Sequence, residues 1–178
     1  MQLALSIANG NKDFLGNLIP NQLKVLFVDT EVGQDELLRR YKGITKHMDW
    51  QGHDNWMMVS KRGFISDVWN AVDLLCHKHQ ADLVIIDCLY NSTIVQDFSK
   101  STGMTKVTDA VTQLREKYNN TFLLVHHFNK GNHDSGLMID RMSGSAVLQN
   151  LVEFQILMLK TNVKHFHLWH IAKTRGVD

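Results

Sequence analysis

One proline, two cysteines and no long apolar run are what this 178-residue sequence has least of. A bilayer-crossing helix needs about 20 consecutive apolar residues, and no stretch approaches that length. Met1 is not followed by the basic and then apolar segments of a secretory leader. Cys76 and Cys88 are too few for a disulfide scaffold and point to a reducing, cytoplasmic setting. Net charge is also missing: 19 basic against 18 acidic side chains leave +1. No global field therefore draws in nucleic acid, and any such binding must come from local loops. Without a Pro/Gly-rich linker, a low-complexity tract or an internal repeat, residues 1–178 are expected to form a single domain around one core.

What is present is a set of short apolar runs that each stop at a polar residue. Leu83-Val84-Ile85-Ile86 shows no polar alternation and ends in Asp87, the pattern of a parallel strand buried on both faces. Lys24 to Asp29 is a second apolar strand ending in Asp29-Thr30-Glu31, and Thr121 to Val125, expected to be equally buried, runs into His126-His127. Asn55 to Ser60 is a shorter strand candidate. Helical spacing predicts helices over Met1 to Asn9, with Leu3, Ile7 and Leu5 inward, and over Gln34 to Tyr41, with Leu37, Leu38 and Tyr41 inward. The same spacing predicts helices over Phe64 to His79, Met104 to Tyr118 and Met142 to Leu151. Asn9 to Asn11 and Leu15 to Gln22 read as loop. Phe154 to Lys160 and His165 to Lys173 read as antiparallel strands turning at Thr161 to Lys164, added at one edge of the sheet.

Strands alternating with helices imply right-handed βαβ units. The expectation is a three-layer α/β fold with a mostly parallel sheet and an antiparallel C-terminal strand pair. Open sheets of this kind place their chemistry at the carboxyl ends of the strands. Glu31, Asp87 and His126-His127 would then meet at one rim.

Taken together, Val28-Asp-Thr-Glu31, Ile85-Ile-Asp87, Leu124-Val-His-His127 with Asn129-Lys130, Ser143 to Gln149 and Lys173-Thr-Arg175 resemble the RecA-like P-loop ATPase core. Within that fold they are most similar to RepA-type and DnaB-type hexameric helicase ATPases, along nearly the whole chain. The resemblance implies ATP and Mg²⁺ as ligands. It implies that Glu31 polarises the attacking water and that Asp87 is the Walker B acid acting on Mg²⁺. His127, or its neighbour His126, would sense the γ-phosphate, and Gln149 would couple the site to the strand behind it. Lys173 and Arg175 would act in trans on the nucleotide of a neighbouring copy in a ring or filament. The loops after the second and third rim strands would grip single-stranded DNA, with Lys100, Lys106, Lys130 and Arg141 on its phosphates.

One part of the pattern is absent. No Gly-x-x-x-x-Gly-Lys-[Ser/Thr] occurs in the sequence, and Met1-Gln-Leu-Ala-Leu reads like the helix that follows such a loop. The expectation is a domain fragment whose parent supplies the loop upstream, inactive by itself. A non-hydrolysing RecA-like scaffold or regulatory module is the alternative. Simpler readings stand beside these roles. Glu31 suits a helix first turn, paired histidines suit caps, and Ser143 to Gln149 suits a small-residue packing face. Cys76-His77-Lys78-His79 and His165-Phe166-His167 lack the spacing of a structural zinc site.

Overall fold

A computed structural model describes residues 1–61, 65–89, 101–127, 145–164 and 166–175. The chain forms two compact units, residues 1–95 with 109–126 and residues 96–108 with 127–178. Each is described on its own.

The first unit is built on a four-stranded parallel sheet. Its strands are β3 (Val25–Asp29), β4 (Trp56–Ser60), β5 (Leu83–Asp87) and β6 (Thr121–Leu124), in the spatial order β4-β3-β5-β6. The two central strands carry the uninterrupted apolar runs. All five residues of β3 and the first four of β5 are buried, each fully buried Val, Ile or Leu contributing roughly 1.5–3 kcal/mol. Val25, Phe27, Leu83 and Ile85 form one face, packed against α1 (Gln2–Asn9) and Leu37 of α2 (Gln34–Thr45). Val84 and its register partner Phe122 lie on the other face, where Trp69 of α3 (Ile65–His79) meets the Phe122 ring at 6.4 Å. There α4 (Ser101–Tyr118) is tied to α3 by Lys117 Nζ and the Tyr118 hydroxyl, both donating to Asp73 Oδ1 at 2.8 and 2.6 Å. Helices on both faces of a parallel sheet make the three layers of a RecA-like α/β fold.

Several expectations need correcting in detail. The buried stripe of α1 is Ala4, Leu5 and Ala8, while Leu3 is exposed and Ile7 only half-buried. Ala4 and Ala8 pack in one cluster with Val25 and Phe27 of β3. The helix ends at Gly10 in the left-handed region, its amide donating to the Ile7 carbonyl at 3.1 Å. Leu15 to Gln22 is not all loop. β1 (Asp13–Phe14) and β2 (Asn17–Leu18) pair there through Leu15-Gly16, both at positive φ, as a tight hairpin requires. Helix α2 runs one turn beyond Tyr41, and Leu38 faces outward. β6 is not buried: it ends the sheet order, with Thr121 and Leu123 exposed and Phe122 and Leu124 half-buried.

In the second unit, α5 (Ser145–Leu151) precedes β7 (Phe154–Lys160) and β8 (His167–Thr174). These two strands pair antiparallel as a sheet of their own among the described residues, not as an addition to the parallel one. A bulge interrupts the pair: Ile156 stands opposite Ile171 and Gln155 opposite Lys173, leaving Ala172 as the extra residue. Phe154, Ile156, Met158, Trp169 and Ile171 are all exposed.

Candidate functional site

The register of the parallel sheet puts strand ends side by side. Asp29 is paired with Asp87 across β3 and β5, and Asp29 with Ser60 across β3 and β4. Past the strands the backbones stay joined. The Thr30 amide donates to the Asp87 carbonyl at 2.9 Å, and the Val125 amide to the Ile86 carbonyl at 3.0 Å. The Leu89 amide donates back to the Val125 carbonyl at 2.7 Å. Glu31, two residues beyond β3, Asp87 at the tip of β5 and His126, two residues beyond β6, therefore occupy one rim. Glu31 is exposed, and Asp87 and His126 are half-buried.

Helix α1 reaches the same rim. Burial holds the Met1 amine below its ordinary value, and the Asp87 charge pulls it the other way. The two influences put Met1, the N-cap residue of α1, within electrostatic range of Asp87. The first turn of a helix carries amides without intrahelical partners and a partial positive charge, which favour an anion.

The loop that carries Glu31 is organised by Asp29, a residue that sequence reasoning had treated as part of a strand. Asp29 is 3% exposed. Oδ1 accepts from the amides of Val32 at 3.0 Å and Glu31 at 3.3 Å. Oδ2 accepts from the Gly33 amide and the Ser60 hydroxyl, both at 2.9 Å. Gly33, at φ 86°, makes the left-handed turn that the loop needs before α2 and accepts the first helical hydrogen bond from Leu37. The available signal was local. An Asp followed four residues later by a Gly at a strand-to-helix turn is the composition of a side chain that bonds its own loop.

Residues 1–133 match the AAA domain family, three-quarters of the chain and the whole of this rim. The chain belongs to that family. It is an ATPase-like family, found in helicase-like proteins, and this AAA domain is accordingly of a nucleotide-dependent, ATPase-like class. No curated protein matches the chain.

The remaining sequence-predicted residues of the chain fall in the second unit or outside the described residues. His127 is exposed. Lys173 and Arg175 lie beyond the matched segment, and both meet the last turn of α5. Lys173 Nζ donates to the Gln149 carbonyl, and Arg175 Nη2 to the Asn150 carbonyl at 2.9 Å. The Arg175 amide also donates to the Glu153 carbonyl at 2.9 Å. Cations at a helix C-terminus satisfy carbonyls that have no intrahelical donor. Lys106 is exposed on α4. Lys100, Lys130, Arg141, Ser143 and His165 lie outside the described residues. Among the described residues, no helix is long and apolar enough to cross a membrane.

Proposed function

We propose that this AAA domain is the ATPase core of an oligomeric DNA-handling motor of the RepA and DnaB helicase type, hydrolysing ATP at the interfaces between copies. The observation that carries this reading is the shared rim, where the pairing of β3 with β5 sets the Glu31 loop beside Asp87.

The rim fits part of a magnesium–nucleotide site. Carboxylate oxygens suit Mg²⁺, and Asp87 would hold it through water. The ion supplies positive charge to the phosphoryl groups during transfer. Glu31, exposed at the end of a braced loop, would orient the attacking water and take up its proton. His126 and His127, next along the rim strands, would report the state of the γ-phosphate. Lys173 and Arg175 of one copy would stabilise charge on the nucleotide of the next, with Gln149 on the helix they cap. Lys106, with Lys100, Lys130 and Arg141, would neutralise phosphates of single-stranded DNA. The phosphate-holding half does not fit. The sequence has no glycine-rich loop ending in Lys-[Ser/Thr] to cradle the phosphates.

A second reading is a RecA-like module that scaffolds or regulates without hydrolysis. Two measurements separate them. The chain alone is expected to bind ATP more weakly than about 1 mM, a binding free energy short of roughly 4 kcal/mol. Joined to a Gly-x-x-x-x-Gly-Lys-Ser loop ahead of Met1, it is expected to hydrolyse ATP. If turnover stays at the level of the Glu31→Gln variant of the same fusion, the scaffold reading replaces the motor.

A further inference from the structure

Asp29 and Thr30 together tie three strand ends. Asp29 reaches β4 twice, its carboxylate accepting from the Ser60 hydroxyl at 2.9 Å and its carbonyl from the Lys61 amide at 2.8 Å. Thr30 reaches β5 twice. Its amide donates to the Asp87 carbonyl at 2.9 Å and its hydroxyl to the Cys88 carbonyl at 2.6 Å. Both residues are buried, at 3% and 2% exposure. The next residue is Glu31, and the amides of Glu31, Val32 and Gly33 all point at the Asp29 carboxylate.

A carboxylate buried away from water is costly unless donors surround it. Four donors surround this one, three of them backbone amides of a single loop. Bonds to a charged acceptor are stronger and shorter than neutral ones. The loop is therefore fixed by a point inside the sheet rather than by contacts at its exposed tip. Thr30 adds a second anchor on the peptide that follows Asp87. The position of Glu31 relative to Asp87 is thereby set by two bonded strand ends.

We infer that Asp29 and Thr30 are positioning residues for Glu31, holding its backbone in register with Asp87 and with the end of β4. This deepens the reading of Glu31 as the water-orienting carboxylate and rests on it for its purpose. The brace itself is tested without nucleotide. Backbone amide exchange and Glu31 side-chain relaxation are measured by NMR on the full 178-residue chain and on Asp29→Ala, Asp29→Asn, Ser60→Ala and Thr30→Val. In Asp29→Ala, exchange at Glu31, Val32 and Gly33 should rise at least about tenfold, and the Glu31 side chain should gain mobility. The amides of Leu26, Phe27, Val84 and Ile85 should keep their protection. Asp29→Asn, which keeps one acceptor oxygen, should restore part of the loop protection. Ser60→Ala and Thr30→Val should each loosen Glu31 by a smaller factor, and they decide the matter if both Asp29 variants fail to fold. An unchanged Glu31 loop, or protection lost equally across β3 and β5, would overturn the inference by making the two residues idle or merely structural. Failure of ATP hydrolysis in a loop-bearing fusion leaves this result standing, so the two claims fail separately.

Discussion

Asp29 and Asp87 are register partners on adjacent parallel strands, yet their carboxylates have different surroundings. The Asp29 carboxylate is enclosed by the amides of its own loop and the Ser60 hydroxyl. Asp87 stands half-buried at the rim. If the nucleotide reading holds, Glu31→Gln in a loop-bearing fusion lowers turnover by about two to four orders of magnitude, the usual worth of a general base. Asp87→Asn should raise the magnesium concentration that the same reaction needs. Steady-state hydrolysis across a magnesium titration checks both.

Gly52 supports α1 through contact rather than flexibility. A Cβ there would sit 2.7 Å from the Ala8 carbonyl oxygen and 2.9 Å from its carbon. The same stretch is held by Asn9, which donates to the Asp49 carbonyl at 3.0 Å and accepts from the Gln51 amide at 2.6 Å. Gly52→Ala therefore has to push backbone against backbone. A loss of about 1–3 kcal/mol, as for overpacking elsewhere, is expected in urea unfolding. Gly43→Ala, with open space around it, should not destabilise.

Cys76 lies buried on α3 beneath Asn120, whose amide donates to Sγ at 3.7 Å. Burial, with the Asp73 charge adding to it, pushes the thiol up to about 11 from 9.0. The folded thiol should resist alkylation at pH 8 and react once the chain unfolds in urea. The unfolded chain loses this proton first, so the contribution of Cys76 is complete below about pH 9 and lost as pH rises through that value toward about 11. Cys76→Ala should flatten that part of the stability profile, read by denaturant midpoints across the range.

Lys173→Met removes a donor from the last turn of α5, and Arg175→Met removes another. Each is expected to cost about 0.3–1 kcal/mol of helix stability. Faster exchange of the α5 amides, with β7 and β8 still protected, is the outcome that checks it.

The apolar face of the β7–β8 pair should bind a hydrophobic dye. Trp169→Lys and Met158→Lys, which put charge into two register partners that are 50% and 63% exposed, should reduce the fluorescence enhancement substantially.

The strands at the centre of the sheet were legible because burial on both faces leaves no choice of residue: β3 and β5 fall within one residue of their expected limits. β6 misled because its apolar run resembles theirs, although it ends the sheet order. A run of Phe-Leu-Leu does not say how many neighbours it has. On α1 Leu5 is buried as expected, but Leu3 is exposed, and Ala4 and Ala8 pack with Val25 and Phe27 of β3 in its place. Glu31, Asp87 and His126 were legible as strand-end residues, and adjacency of β3, β5 and β6 followed from the fold class. Asp29 was missed because hydrophobic periodicity weighs side chains by burial and says nothing of which amides a carboxylate gathers. The meeting of Lys173 and Arg175 with α5 was equally hidden, since it depends on carbonyl positions and on a bulge with no sequence mark.

That bulge resets the counting along β8. His167, Trp169 and Ile171 share a face with Lys160, Met158 and Ile156, but Lys173 falls on the face of Gln155. In a cysteine-labelling walk down the strand, the odd and even positions would exchange roles at Ala172. A helical or strand wheel drawn from the sequence alone would assign Lys173 to the wrong side.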